Sequence, residues 1–497
     1  MQIDWSTDEP SSAAGQLWVV PVRKDADPST LEDRFGAHVV AAATAARFAG
    51  KPSDSFAFTR DVDGTLRHVV LLGIGDGIDK PGTLRQLGHD AARRAEKVGA
   101  SHLVVDLRSE DVATIGDNPA HAGDLFAQGA ELGTYSYDRF RSEEKRNPSS
   151  VKKTTVVASS SAPAEGTARG QIVAAAVARA RDLGNGPAEL VTPTFLADTA
   201  REIVDALSAD HDVSLQVFDR AECQRRNMGC YLGVAKGSDE EPRFIHLHYK
   251  PKGKAKGRVA LVGKGVTFDS GGYSIKPTDG MLDMKMDMCG SAAVIGAFEG
   301  AVRLGLDYEL HVLVAATENM VSGHAYRLGD VLTASNGKTV EINNTDAEGR
   351  LTMADALVYA GKLEPDFIID FATLTGACIV ALGPKIAGVM TNDEKLWTDW
   401  SGAADRVGDR MWRLPLPEDL KEQLESKVAD FKNTGERWGG ALTAGLFLSE
   451  FTEGQRWMHV DIAGPAMASK PHGITTPGAS GFPVATILEL LSGDVDK

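Results

Sequence analysis

Residues 344–350 place two carboxylates and a guanidinium group within five positions of one another. Asp346 and Glu348 lie two positions apart, so an extended or tightly turned backbone points both carboxylates toward one centre. Gly349 beside them allows a close approach by a neighbouring group. The pattern favours a site for hard cations. The alternative is an ordinary helix start, with the cap among residues 344–346.

A second segment places a lysine and two aspartates after an apolar run. Residues 259–262 predict a buried strand, and we expect Gly263-Lys264-Gly265 to end it. An ammonium group there loses hydration, so it must pair with carboxylates or lose its proton. Asp269 and Asp287 follow in loops, where open α/β sheets place their sites. The alternative is a lysine that reaches solvent and an aspartate in a turn.

Several motifs occur in a fixed order: VGKGVTFDSGGYSIKP from Val262, DMKMDMCG from Asp283, NTDAEGRL from Asn344 and ATLTGA from Ala372. Together they resemble the signature segments of the leucyl aminopeptidase, or cytosol aminopeptidase, family in its bacterial form. The similarity continues in segments that begin at Arg181, Glu318, Trp412 and Trp457. It therefore covers roughly residues 180 to 490.

The resemblance implies a site for two divalent metal ions per subunit. Each metal-site position of the family pattern is occupied by the expected residue, namely Lys264, Asp269, Asp287, Asp346 and Glu348. The resemblance also implies how these residues bind the two ions. Asp269 and Glu348 contact both ions, Asp346 contacts one of them, and Lys264 and Asp287 contact the other. Two dications about 3.5–4 Å apart repel each other, so anionic bridges between them are needed. An amine among oxygen ligands favours zinc or manganese over calcium or magnesium.

The implied mechanism uses a metal-bridging hydroxide that attacks a peptide carbonyl polarised by one metal. By resemblance, Lys276 stabilises the oxyanion, and Arg350 binds a bicarbonate ion that relays the proton to the leaving amine. The alternative for Lys276 is an ordinary loop lysine. No His-Glu-x-x-His motif is present, and the histidine-poor motifs argue against a dimetal phosphatase or amidohydrolase.

An exopeptidase must recognise the free N-terminal amine, which coordination to one metal provides. By resemblance, the first side chain enters a pocket that includes Met284, Asn344, Thr373, Ala463 and Ala466, with backbone contacts from Leu374 and Gly376. The alternative for Met284 is loop packing. A hydrophobic pocket separates leucine from a one-methylene analogue by only ~1–3 kcal/mol. We therefore expect short peptides with leucine or other bulky apolar N-terminal residues as substrates, and a role in peptide turnover.

Apolar runs that alternate with helical stretches predict an α/β protein of two domains. We expect a smaller N-terminal α/β domain at residues 1–165, a connecting helix at 166–183, and a catalytic dimetal aminopeptidase domain at 184–497. The larger domain is predicted to contain a mainly parallel sheet covered by helices. His246 and His248 share one face of a predicted strand, and without an adjacent acidic residue we interpret them as packing residues.

Composition limits the remaining function classes. A net charge of −16 argues against a generally nucleic-acid-binding surface. A basic run at residues 139–153 leaves an additional DNA-binding regulatory role, as in some bacterial relatives, as the alternative function. Four cysteines without C-x-x-C spacing indicate reduced thiols. Without a targeting segment or a long apolar run, we expect a cytoplasmic protein with no membrane partner. The resemblance implies a homohexamer.

Overall fold

A computed structural model of the chain describes residues 1–8, 15–52, 54–62, 64–78, 80–110 and 119–493. The chain divides into a smaller unit, Met1–Ala175 with Asp405–Gly408, and a larger unit, Ala176–Ala404 with Asp409–Lys497. This two-domain α/β organisation confirms the predicted fold class. The domain limits expected from the sequence remain predictions, and the last residues of the expected catalytic domain, 494–497, lie outside the described residues.

The smaller unit contains a mixed sheet with helices on both faces. Its strands are β1 Gln2–Ser6, β2 Leu17–Arg23, β3 Ser55–Val62, β4 Thr65–Gly75, β5 His102–Asp106 and β6 Lys153–Val157. Its helices are α1 Pro28–Phe35, α2 Ala37–Ala45, α3 Pro81–Val98, α4 Pro119–Gly133 and the first part of α5 Ala164–Asn185. The strand order is β1-β6-β5-β2-β4-β3, and neighbouring strands are parallel except for the antiparallel pair of β3 and β4.

Strand β2 shows why both faces of this sheet are covered. Leu17 and Val19 belong to the core cluster that includes residues of α3 and α4, whereas Trp18 and Val20 belong to the cluster that includes residues of α1 and α2. Successive side chains of a strand point to opposite faces. A continuous apolar run therefore forms a central strand between two helical layers.

The larger unit contains a larger sheet together with short strands. Its strands are β7 Asp212–Phe218, β8 Arg243–Lys250, β9 Gly257–Asp269, β10 Tyr308–Asn319, β11 Val331–Thr333, β12 Thr339–Glu341, β13 Phe367–Ala372, β14 Ala387–Thr391, β15 Met411–Arg413, β16 Phe431–Lys432, β17 Trp457–Asp461, β18 Met467–Ala468 and β19 Gly478–Ala479. Its helices, after the second part of α5, are α6 Pro193–Leu207, α7 Arg220–Arg225, α8 Gly229–Ala235, α9 Thr278–Met281, α10 Cys289–Leu304, α11 Gly349–Gly361, α12 Gly376–Leu382, α13 Glu394–Val407, α14 Gly440–Ser449 and α15 Val484–Ser492. Among the helices of the described ranges, none is long and apolar enough to cross a membrane.

The large sheet has the order β15-β14-β17-β13-β9-β10-β8-β7. Its four central strands, β17, β13, β9 and β10, are parallel to one another, and antiparallel pairs join β14 to β17, β10 to β8 and β8 to β7. The parallel centre confirms the predicted arrangement. It also brings the carboxyl ends of β9, β13 and β17 to one edge of the sheet, where such folds place their sites.

Strand β9 is longer than the sequence suggests, and the expectation that it ends at Gly265 is wrong. The parallel neighbour β10 continues alongside, pairing Ala315 with Lys264 and Asn319 with Asp269. Lys264 and Asp269 would point to opposite faces of a regular strand because five positions separate them. The register shifts between Thr317 and Asn319, and such an irregularity changes the direction of the following side chain. Both charged groups can therefore serve one site.

Helix α11 is buried along most of its length, and Asp355 links it to two other segments. The Oδ2 atom of Asp355 accepts a hydrogen bond from the Tyr231 backbone N–H at 2.8 Å, and Oδ1 accepts one from the Ser335 backbone N–H at 2.7 Å. Tyr231 lies in the first turn of α8, and Ser335 follows β11. Asp355 thus fixes the helix that begins at the 344–350 segment.

We predict that Asp355→Asn lowers the free energy of unfolding by about 1–3 kcal/mol. Both carboxylate oxygens accept from backbone N–H groups, so an amide NH2 must face one of these donors and leave it unpaired. The measurement is the urea unfolding midpoint of the variant against that of the wild type. Asp210→Ala, at an exposed position, is the control and should unfold like the wild type. An unchanged midpoint for Asp355→Asn would contradict the assigned role.

Candidate metal centre

A cavity opens where β9, β13 and β17 end. Its volume is about 740 Å³, which lies within the usual range of small-molecule sites, about 300–1,000 Å³. Most of the charged residues that the sequence predicts for the metal site and the reaction line this cavity. They are Lys264, Asp269, Lys276, Asp287, Asp346 and Glu348. Separate segments of the chain therefore bring two lysines and four carboxylates to one place.

Lys264 lies at the centre of this cluster, and its side chain is only 3% exposed. The Nζ atom lies 2.7 Å from Asp287 Oδ1 and 2.9 Å from Glu348 Oε1, and it donates a hydrogen bond to the Thr373 carbonyl oxygen at 3.1 Å. Asp287 belongs to a short 3-10 turn, Met284–Met288. The buried ammonium group is therefore paired with groups from three segments, as its loss of hydration requires.

Lys276 reaches the same cluster through a tight turn after β9. Gly271 has a φ of 84°, a conformation that favours glycine, and a Cβ atom there would lie 2.8 Å from Asp346 Oδ1. The Lys276 Nζ atom lies 2.6 Å from Asp346 Oδ1 and 2.9 Å from Asp269 Oδ2. The turn therefore places a second cation between two carboxylates.

The 344–350 segment combines the two alternatives that its sequence suggests. Helix α11 does start here, but its cap position is Glu348, whose side chain makes no capping hydrogen bond. That side chain contacts Lys264 instead. The Asn344 Oδ1 atom accepts a hydrogen bond from the Asp346 backbone N–H at 2.9 Å, which orders the preceding turn. The helix start thus carries the charged cluster rather than capping itself.

The cluster carries an excess of buried negative charge. Burial and the Glu348 carboxylate raise the pKa of Asp269, and burial raises the pKa of Asp287 well above its usual value. Burial and the Asp269 carboxylate likewise raise the pKa of Asp346. Although burial acts in the opposite direction, the surrounding carboxylates raise the pKa of both lysines. Two ammonium groups therefore face four carboxylates, and further cations would relieve the remaining repulsion.

The donor geometry fits divalent metal ions. Ligand atoms of Asp269, Asp346 and Glu348 all lie within 4.8 Å of one another. The Oδ2 atom of Asp287 is buried and has no hydrogen-bond partner among the described residues. Buried carboxylate oxygens are normally paired or bound to a metal. Together with the Lys264 nitrogen, which could bind an ion only after losing its proton, these oxygens form a mixed nitrogen and oxygen donor set for divalent ions.

The predicted substrate-binding residues divide into two groups. Met284, Thr373, Leu374, Gly376 and Ala463 line the cavity. Asn344 and Ala466 do not line it. Asn344 shapes the turn before Asp346, and the buried Ala466 donates its backbone N–H to the Ile462 carbonyl at 2.9 Å.

Arg350 also lies outside the cavity lining and is buried. Its Nη1 atom donates a hydrogen bond to the Asn433 carbonyl oxygen at 2.9 Å, while its Nε atom has no hydrogen-bond partner within the part of the chain that the structure describes. Burial lowers the pKa of Arg350 to about 10. The guanidinium group still carries its charge at neutral pH, and it keeps a donor available to an anion.

Two residues that organise the site do not stand out in the sequence. Asp461, at the end of β17, accepts hydrogen bonds from the Ala463 N–H at 3.1 Å and the Thr375 hydroxyl at 2.7 Å, so it fixes two loops of the cavity. Asn319, at the end of β10, donates a hydrogen bond to Asp269 Oδ1 at 2.8 Å. Both are the last residues of buried strands, and a polar residue at a strand end is the signal that could have indicated them.

Solved structures define the class of protein that has this fold. A mutant of tomato leucine aminopeptidase has a TM-score of 0.90 at 35% identity, and the match covers 99% of this chain and 96% of that one. The bottromycin maturation enzyme BotP in complex with Mn has a TM-score of 0.84 at 34% identity, with 96% and 99% covered. The chain is an aminopeptidase and therefore a hydrolase.

Sequence comparison gives the family. The model of the cytosol aminopeptidase family, catalytic domain, matches residues 178–488, and that of its N-terminal domain matches residues 19–144. Probable cytosol aminopeptidases from Synechococcus sp. (strain JA-3-3Ab) and Microcystis aeruginosa are 45% and 43% identical, with 93% and 92% of this chain and 91% of each relative covered. The chain belongs to the cytosol aminopeptidase family, which confirms the resemblance seen in its motifs.

We predict that Gly349→Ala reduces peptide hydrolysis by about 10²-fold while the protein remains folded. The new Cβ atom would lie 2.5 Å from Lys264 Cε and 2.7 Å from Nζ, so the lysine must move away from its partners. Displacements of about 1 Å in a catalytic arrangement have effects of this size. The measurement is kcat/KM for an N-terminal leucine substrate, with circular dichroism to check folding.

Gly361→Ala is the matched control in the same helix. Among the described residues outside the helix itself, the nearest atom to its new Cβ would be Gln455 Cγ at 4.0 Å, so activity should be unchanged. Equal activities for the two variants would show that the space beside Lys264 is not critical.

Proposed function

We propose that this aminopeptidase is a two-metal exopeptidase that removes leucine and other bulky apolar residues from the N-termini of short peptides. Ligand atoms of Asp269, Asp346 and Glu348 lie within 4.8 Å of one another, and this observation carries the proposal. Asp287 lines the same cavity, and its buried Oδ2 atom has no hydrogen-bond partner in the described ranges. Carboxylates concentrated in this way repel one another unless cations lie between them.

The proposed metal ligands are Lys264 and the four carboxylates of the cluster. Asp269 and Glu348 would contact both ions, Asp346 one ion, and Lys264 and Asp287 the other. Lys264 would bind as the neutral amine after releasing its proton, and amine and carboxylate donors support Mn²⁺ or Zn²⁺. BotP, which is 34% identical to this chain, was solved in complex with Mn, and this supports the same class of ion here. Ions bound there would supply the Lewis acidity that activates water and polarises the peptide carbonyl.

The chain's own residues would supply the remaining steps. Lys276 keeps its proton between Asp269 and Asp346, so its ammonium group is available to stabilise the developing oxyanion at the cavity wall. Arg350 would hold a bicarbonate ion through its Nε atom, which has no hydrogen-bond partner in the described part of the chain, and such an ion would supply a proton carrier for the leaving amine. Arg350 does not line the cavity, so we assign it this indirect role.

Substrate selection would depend on the walls of the 740 Å³ cavity. Met284, Thr373 and Ala463 would surround the first side chain, and the backbone of Leu374 and Gly376 would bind the peptide. Asn344 and Ala466 do not line the cavity, and they would contribute by fixing the positions of the residues that do. Methionine adapts its shape to different partners, so the preference among bulky apolar residues would be broad.

The assembly and location are proposed from the family alone. We propose a homohexamer, which would restrict access to short peptides. Relatives named cytosol aminopeptidases support a cytoplasmic location.

We predict that metal-stripped protein regains cleavage of leucine p-nitroanilide when Mn²⁺ or Zn²⁺ is added. The N-acetylated substrate should remain uncleaved, because acetylation removes the amine that one ion would bind. Asp346→Ala should abolish most of the regained activity, whereas Asp210→Ala, at an exposed position, should retain it. Release of p-nitroaniline is the measurement. Cleavage that is independent of metal, or equal for both substrates, would contradict a two-metal exopeptidase.

We further predict that Lys276→Gln lowers kcat by about 10²–10³-fold with a smaller change in KM. A group that stabilises the oxyanion acts mainly in the transition state, and its loss costs about 2.7–4 kcal/mol. Metal content, measured on the same sample, separates this effect from loss of ions. Lys252→Gln, at an exposed turn, should match the wild type. A variant with normal kcat and raised KM would assign Lys276 to binding instead.

A further inference from the structure

A second group of potential metal ligands lies on the large sheet, away from the cavity lining. His248 on β8 pairs directly with His311 on β10, so the two side chains share one face of the sheet. His246 and Glu309 lie two positions from these residues on their own strands and therefore point to the same face. The acidic partner that is absent next to His246 and His248 in the sequence is supplied by the neighbouring strand.

We propose that His248, His311 and Glu309 bind one divalent ion of the zinc class, separate from the candidate metal centre, with His246 as a positioning residue. Two imidazoles and one carboxylate form a common three-residue ligand set for zinc, with a fourth position left to water. Nitrogen donors favour zinc and its transition-metal neighbours over calcium or magnesium. The proposal does not depend on the proposed peptidase mechanism.

The donor atoms are close enough to converge on one ion. Glu309 Oε1 lies 2.9 Å from His248 Nε2 and 3.7 Å from His311 Nε2, and one donor atom from each of the three residues lies within 4.8 Å of the others. The two imidazole rings are stacked, with centroids 4.3 Å apart and planes 3° apart. Zinc–nitrogen bonds are about 2.0–2.1 Å long, so binding requires the rings to turn toward each other.

The site is accessible from solvent. The His248 side chain is 22% exposed and the Glu309 side chain is 18% exposed, whereas His311 is more deeply buried. An ion can therefore reach the outer pair of ligands without unfolding of the sheet.

A second layer of contacts holds the ligands in a suitable orientation. The His311 Nδ1 atom lies 2.9 Å from His246 Nε2, and the His246 Nδ1 atom lies 3.2 Å from the Tyr359 hydroxyl. When His311 binds an ion through Nε2, its Nδ1–H can donate to His246, whose own Nδ1–H can donate to Tyr359. Outer partners of this kind fix the tautomer and direction of metal-binding histidines.

Glu309 is held in the same way from the other side. Its Oε2 atom accepts a hydrogen bond from Arg258 Nε at 3.1 Å, and its Oε1 atom faces His248 Nε2 at 2.9 Å, a contact that a bound ion would replace. The positive charge of Arg258 offsets the charge of the carboxylate, so we expect weaker binding than in a closed structural zinc site.

The first test counts zinc ions per full-length chain after equilibrium dialysis, by elemental analysis. The wild type should retain one zinc ion more than His248→Gln and one more than Glu309→Gln. The control His211→Gln, also in the larger unit but outside this cluster, should match the wild type. His248→Gln should keep the wild-type rate of peptide hydrolysis, because the site is separate from the cavity. Equal zinc counts for the wild type, His248→Gln and Glu309→Gln would overturn the proposal.

A second test needs no variant. Anomalous scattering at the zinc edge from wild-type crystals should give a peak about 2.0–2.1 Å from His248 Nε2 and His311 Nε2. A peak at the candidate metal centre alone would overturn this proposal and leave the proposed function intact. A peak at the histidines alone would support this proposal and contradict the proposed two-metal function.

Discussion

The structure of the larger unit depends on the neutralisation of one buried ammonium group, that of Lys264. The strand around it is apolar and closely packed, so the lysine cannot reach water. Its partners come from the 3-10 turn before α10, the start of α11 and the loop after β13. Breaking a buried ion pair on one side leaves the other charge uncompensated, at a cost of about 3–5 kcal/mol. The same contacts that assemble the site therefore also hold the strand ends together.

Much of this arrangement could be predicted because charge and hydration impose strong constraints. Lys264 next to an apolar run, and Asp346 two positions from Glu348, are costly unless they meet partners of opposite charge. The parallel centre of the sheet follows from apolar strands that alternate with helices. Strand ends on one edge then bring the charged residues together. These inferences use local patterns and a general rule of α/β folds, and the family resemblance supplies the pairing between distant segments.

Other features could not be predicted because they depend on contacts between distant segments. Strand β9 continues past Gly265 because β10 lies beside it, which no local pattern indicates. Arg350 follows the charged motif directly, yet the first turn of α11 directs it toward Asn433 rather than the cavity. The interpretation of His246 and His248 as packing residues considered only their own strand. Glu309 joins them through the register of β8 and β10.

The two lysines of the candidate metal centre act as counter-ions that belong to the chain itself. They lie between the carboxylates at 2.6–2.9 Å, so part of the repulsion is relieved before any ion arrives. The polypeptide can therefore complete its fold first and bind metal ions afterwards. In the proposed two-metal enzyme, the ions loaded would then reflect the supply in the surrounding compartment and not the requirements of folding.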